Sequence, residues 1–191
     1  MAIGKPERST QNRVIQLFQR ELSYRYLGDW TDRSSNSNIE EVLLKDHLQK
    51  NGYSAAQINR AIDLLRCEAD NHNRTLYGNN KEVYKLLRYG APVKVEAGKV
   101  TETVQLINWN EPQKNDFAIA EEVTLKGNHE RRPDIVLYVN GIAICVLELK
   151  NSRVSIGDGI RQNLSNQKPE FNQWFFSTIQ SSSARSIASS N

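Results

Sequence analysis

Two apolar runs, Ile135-Val136-Leu137-Tyr138-Val139 and Ile142-Ala143-Ile144-Cys145-Val146-Leu147, meet at the dipeptide Asn140-Gly141. Asn-Gly between strand-like runs is the strongest short-range hairpin signal, because both residues accept the positive φ of a tight turn. The second run is apolar on both faces. Such a strand belongs inside a sheet covered on both sides, so the chain must supply further strands and helices around it. Each run ends in charge. The first opens on Asp134, after Arg132-Pro133, and the second closes on Glu148-Leu149-Lys150. Strand side chains alternate, so Glu148 and Lys150 share one face and Leu149 the other. Two carboxylates and an ammonium at one end of a hairpin suit phosphodiester hydrolysis: the acids can hold a hard divalent cation, and the ammonium can offset charge near the attacked phosphorus.

The turn decides whether the acids meet. A two-residue loop pairs Val139 with Ile142, sets Asp134 opposite Leu147 and turns it away from Glu148. A three-residue loop with Gly141 left-handed pairs Tyr138 with Ile142, and even-numbered residues then share a face. Asp134 becomes a diagonal neighbour of Glu148, roughly 7 Å away. A functional site therefore predicts the bulged turn or a later bulge with the same effect. A plain hairpin with solvated rim charges leaves the register open.

Around the hairpin the pattern predicts an α/β chain with an N-terminal helical part. Helices are expected over 10–27, from Ser37 (with Glu40 completing a capping box) to Asn51-Gly52, after Ser54 (with Gln57 three residues on), and over 79–89, ended by Gly90. Strands are expected at 93–96 and 100–107, from Phe117 to Leu125, at the two hairpin runs, and at Trp174–Ile179, with a helix over 156–167. The organisation is a flexible start at 1–9, one domain over 10–180 (helical to about 90, β-rich from 91) and a flexible Ser-rich tail over 181–191.

The formal net charge of +3 neither demands nor opposes a nucleic-acid partner. No apolar run approaches the roughly 18 residues of a membrane span. Cys67 and Cys145 are far apart and read as reduced, buried thiols of a cytoplasmic protein. None of His47, His72 and His129 has ligand spacing to another His or Cys, which argues against zinc. Serine and cysteine nucleophile motifs are absent. Tyr24, Tyr26, Tyr77, Tyr84 and Tyr89 lie on or beside helices, where packing outweighs base stacking as the expected role. Gly157-Asp158-Gly159 reads as a helix-entry turn, although helix N-terminal amides can also meet a phosphate.

The segments Leu76–Gly90, Asn115–Val123, Arg132–Val136, Asn140–Ile142, Val146–Lys150 and Gly159–Leu164 together resemble the nuclease region of the R (motor/restriction) subunit of type I restriction–modification enzymes. The resemblance runs from about Thr10 to Gln180. It implies a PD-(D/E)xK restriction-endonuclease-like core, a mixed central sheet flanked by helices, that cuts double-stranded DNA with Mg²⁺, or Mn²⁺ in its place. On that pattern Asp134 and Glu148 are the metal-binding acids, the Leu149 backbone carbonyl joins them, and Lys150 is the catalytic lysine. Gln162 maps to the glutamine of a further Gln-x-x-x-Tyr element, where this chain has Asn166 at the tyrosine position. The first-helix glutamate of many such nucleases is replaced by Gln11, with Glu21 the nearest acid on that helix. The implied partners are DNA and the methyltransferase and specificity subunits of a restriction complex. ATP is expected only in the motor part of a full-length subunit, since this chain has no Gly-x4-Gly-Lys-Ser/Thr loop. A non-catalytic docking module using the helices at 37–90, or a DNA-binding module that does not cut, remains the alternative.

Overall fold

Asn140 and Gly141 both have positive φ, 54° and 84°. That is the two-residue primed turn, and it pairs Val139 with Ile142 and Tyr138 with Ala143. The next pair is Leu137 with Cys145, so Ile144 is an extra residue on the second strand. The later bulge, not the three-residue loop, therefore sets the register. The computed structural model describes residues 5–96, 98, 100–127, 130–151, 161, 165, 167 and 172–187, with the backbone alone at 5–7, 150, 151 and 184–187.

The hairpin strands, β5 (Ile135–Val139) and β6 (Ile142–Asn151), lie inside a five-stranded mixed sheet ordered β1-β4-β5-β6-β7. β4 (Phe117–Glu121) runs antiparallel to β5. The edges, β1 (Arg25–Asp29) and β7 (Ser181–Ile187), run parallel to β4 and β6. One face of the sheet, with Ile119, Ile135, Leu137 and Leu149, is covered by Ile15 and its neighbours on α1 (Lys5–Arg20). The other, with Ala120, Val136, Tyr138 and Val146, packs on Trp30 and on Phe175 and Phe176 of a short α5 (Gln173–Phe176).

The turn end of the hairpin is closed by a second block. This block holds α2 (Glu41–Lys50), α3 (Ala55–Ala69), α4 (Leu76–Tyr89) and the small antiparallel pair β2 (Ala91–Val93) and β3 (Glu102–Val104). Val139 and Ile142 belong to its core, with Leu44, Leu65 and Leu87. The Glu40 amide donates to the Gly141 carbonyl at 2.8 Å. A Cβ on Gly141 would stand 2.7 Å from the Glu40 carbonyl oxygen, so glycine is required for this approach as well as for the turn. The opposite end of the hairpin, where Asp134 and Glu148 stand, is not closed by this block.

The α3 reading holds in detail: Ser54 and Gln57 form both halves of the capping box, and Ile58, Ala61, Ile62 and Leu65 are buried. α4 begins three residues before its expected start, on a Thr75 cap, and ends at Gly90 (φ 86°). α2 begins at Glu41 instead of near Ser37. Ser37 and Glu40 still meet through the Ser37 amide and the Glu40 carboxylate, 3.0 Å, but before the helix.

Several expectations are corrected. The flexible start expected over 1–9 gives way at Lys5 to α1, on which Arg8 is already bound to Glu121. The first helix stops at Arg20, because Ser23 takes a positive φ of 57°, and residues 25–29 become an edge strand. Its mixed polarity matches half-exposed edge pairing and not a strand pattern. Trp174 and Phe175, expected in a strand, lie in α5, since a short apolar run suits either state. The segment expected to be a flexible tail forms β7 over Ser181–Ile187, held by backbone pairing that needs no apolar side chains. Cys67, expected buried, is exposed, while Cys145 is half-buried and burial pushes its thiol pKa up. The helix expected over 156–167 lies mostly outside the described residues.

Candidate active site

Beyond the Ile144 bulge the register runs Ile135 with Leu147, so its continuation sets Asp134 opposite Glu148. Alternation then places both acids on the sheet face of Val136, Tyr138 and Val146. Asp134 Oδ2 accepts a hydrogen bond from the Leu149 amide at 2.6 Å, which ties its carboxylate to the backbone of β6. Glu148 is 1% exposed. Asp134 by contrast is half-buried, so the two acids differ in their access to water. Lys150 stands two residues beyond Glu148 on β6, paired by backbone with Ser186. Its side chain lies outside the described residues, as does Gln162.

A second carboxylate pair, missed from the sequence, stands at the same end of the sheet on the α1 side. Glu121 ends β4 and is 3% exposed. Arg8 Nη1 donates to its Oε2 at 2.6 Å, Gln11 Nε2 to the same oxygen at 2.9 Å, and the Tyr26 hydroxyl to Oε1. A buried carboxylate is tolerated only with such compensation. Burial, then the bond to Glu121, pushes the Tyr26 phenol pKa up to about 12. Glu122, next in the chain at φ 51°, accepts from Gln11 Nε2 at 3.0 Å and pairs with Arg132 Nε at 2.8 Å. The signal was present: Glu121-Glu122 ends the apolar run Phe117–Ala120, as Glu148 ends the apolar run Ile142–Leu147.

Gln11 links this network to the Asp134 strand. Its Nε2 also lies 3.2 Å from the Asp134 carbonyl, which accepts the Glu122 amide at 3.0 Å as well. Gln11 thus stands against the backbone of Asp134 and beside Glu121 and Glu122. Glu21, the alternative acid, is exposed just past the other end of α1, about 15 Å along the helix axis from Gln11. Among the described residues no group of three or more His, Cys, Asp or Glu side chains stands at metal-holding geometry. Two carboxylates remain, and a magnesium ion is commonly held by one or two carboxylates with water and substrate phosphate completing its shell. The donor chemistry therefore fits a hard cation.

The description "Type I restriction enzyme R protein N terminus" matches residues 5–189. Two proteins of Methanocaldococcus jannaschii, both named provisionally as endonuclease subunits of type I restriction enzymes, are similar. The MjaVIIIP subunit is 33% identical over 117 residues, 59% of this chain and 10% of that protein. The MjaIXP subunit is 32% identical over 156 residues, 75% of this chain and 15% of that protein. The chain thus spans between a tenth and a sixth of the length of these relatives. Among the described residues no helix is long and apolar enough to cross a membrane. With nearly its whole length matched, the chain belongs to the family of type I restriction enzyme R protein N-terminal regions.

Proposed function

We propose that this chain carries the Mg²⁺-dependent endonuclease site of a type I restriction enzyme, on a PD-(D/E)xK core that hydrolyses phosphodiester bonds of double-stranded DNA. The observation that supports it most is the Ile144 bulge, whose register sets Asp134 opposite Glu148 on one sheet face. In this reading Asp134, Glu148 and the Leu149 carbonyl hold the cation. When bound, the cation supplies positive charge against the phosphoryl group. The Asp134 bond to the Leu149 amide ties its carboxylate to the backbone of β6. Lys150 orients the attacking water and offsets charge on the phosphorane as the new P–O bond forms and the ester P–O bond breaks. Gln162, at the position of the family's further glutamine, is carried in this reading as an additional site residue. Arg8 and Gln11 hold the neighbouring acids, so that the wall of the site does not shift. The ATP-driven motor, and the methyltransferase and specificity subunits, would lie outside this chain, in a cytoplasmic complex where Cys67 and Cys145 stay reduced.

The test is cleavage of supercoiled plasmid at high protein concentration with Mg²⁺, against an EDTA control. Asp134→Ala, Glu148→Ala and Lys150→Ala should each lose at least about a hundredfold in rate, because cation or counter-charge is gone. Cleavage that persists in EDTA or in the Lys150→Ala protein overturns the site. Equal inactivity of the native chain and all three variants favours the docking-module reading, with chemistry only in the assembled enzyme.

A further inference from the structure

The exposed face of α4 carries an unusual set of side chains. Tyr77 is 77% exposed, Tyr84 46% and Tyr89 68%. The expectation that these tyrosines pack in the core fails for all three. It holds for Tyr24, whose ring meets Phe18 and Phe117, while Tyr26 is bound to Glu121. Tyr77, Lys81, Tyr84 and Arg88 recur at intervals of four, three and four, which is one stripe of a helix. Lys85 and Tyr89 flank it. Trp109, 47% exposed, extends it: its indole donates to the Leu87 carbonyl at 2.7 Å, and the Arg88 guanidinium lies 5.4 Å from its ring centre and 5.9 Å from that of Tyr89.

The stripe is also basic: α4 contributes Lys81, Lys85 and Arg88 against Glu82 alone, a local net charge of +2. Glu82 pairs with Lys85 at 2.7 Å, an exposed contact that a stronger anion can displace. Lys81 and Arg88 make no ion pair among the described residues. Cations interleaved with exposed aromatic hydroxyls fit a phosphate backbone, which arginine, lysine and tyrosine all contact as donors. From Tyr77 to Arg88 the stripe is about 16 Å long, the axial length of roughly five nucleotides of one strand. It also leads toward the candidate active site. Tyr77 and Asn80 share a groove with Ser181 and Ser182 at the start of β7. β7 then runs parallel to β6, from Cys145 past Glu148 to Asn151.

We propose that the exposed face of α4, with Trp109, is a DNA-backbone contact surface that holds the duplex on the turn-end block while the strand end of the sheet acts on it. This rests on the nuclease reading above. It makes the block of α2–α4 part of the DNA-binding machinery and not only a cover for the hairpin turn.

The test is anisotropy of a labelled duplex of 30 base pairs titrated with the full chain in EDTA across a salt series. Lys81→Ala/Arg88→Ala should weaken binding about tenfold at low salt and lower the salt slope by roughly two, the loss of two phosphate contacts. Tyr84→Ala should weaken it severalfold. Lys45→Ala/Lys50→Ala, an equal charge loss on α2, should do neither. Unchanged affinity and slope in the α4 variants overturn the proposal and leave the face to a protein partner. Failure of the native chain to bind the duplex in EDTA overturns it too. Plasmid cleavage by the native chain in Mg²⁺, scored separately, tells failure of this surface from failure of the nuclease reading.

Discussion

At the scale of single residues the chemistry is set by side chains that compensate buried charge. Gln11, 3% exposed, donates to Glu121, Glu122 and the Asp134 carbonyl, and no acid can do so at neutral pH. Gln11→Ala should cost about 2 kcal/mol, the loss of buried hydrogen bonds. Gln11→Glu should cost about 3 kcal/mol or more at pH 7, because it sets a third carboxylate against two. Urea denaturation reads both, and a Glu variant as stable as the native chain would refute the role assigned to Gln11. His47 offers a pH-linked check. Burial is the largest cause lowering its pKa, opposed by Asp116 and Asp46. The unfolded chain then binds the proton first as pH falls, so the contribution of neutral His47 is full above its ordinary pKa near 6.5 and declines as pH falls toward the lowered folded value. The fall in stability from pH 7 to 5 should be shallower in His47→Gln, and identical slopes would exclude this account.

At the scale of elements, one extra residue and one edge strand matter most. Without the Ile144 bulge the two-residue turn would set Asp134 opposite Leu147, and the acids would part. The bulge keeps the tight turn that Gly141 needs against α2 and still brings Asp134 and Glu148 to one face. β7 covers the edge of β6 along the stretch bearing Glu148 and Lys150. A flexible tail could be removed without effect. Deletion of residues 181–191 should instead leave β6 as an open edge and lower Tm by about ten degrees or more, a loss of several kcal/mol in a domain of this size. A Tm within two degrees of the native chain would show that β7 contributes nothing to stability.

At the scale of the whole molecule, two blocks divide the labour. The helical block locks the turn and presents the α4 face, while the sheet carries the acids at its other end. Cation binding at those acids should then stabilise the entire fold. With Mn²⁺ at ten times its Kd the gain is about 1.4 kcal/mol, or a rise of roughly three to five degrees in Tm. Glu148→Gln should abolish the rise. An equal rise in the variant would place the cation elsewhere.

What the sequence determined by itself is what depends on near neighbours. The Asn140-Gly141 turn, the Ser54–Gln57 cap, the apolar stripe of α3 and the Gly90 stop are each decided by a few adjacent residues. The pairing of Asp134 with Glu148 was left open between two parities, and the Ile144 bulge decided it. Tertiary structure decided the rest. Which residue bulges depends on how the turn seats against α2. β1 and β7 become strands because β4 and β6 offer them backbone partners, which no pattern in Arg25–Asp29 or Ser181–Ile187 encodes. Glu121, Arg8, Gln11 and Tyr26 come from three distant segments, and their pairing has no local signal beyond an acid ending an apolar run. Short-range sterics and period are written along the chain; pairing across a sheet is a property of the folded whole.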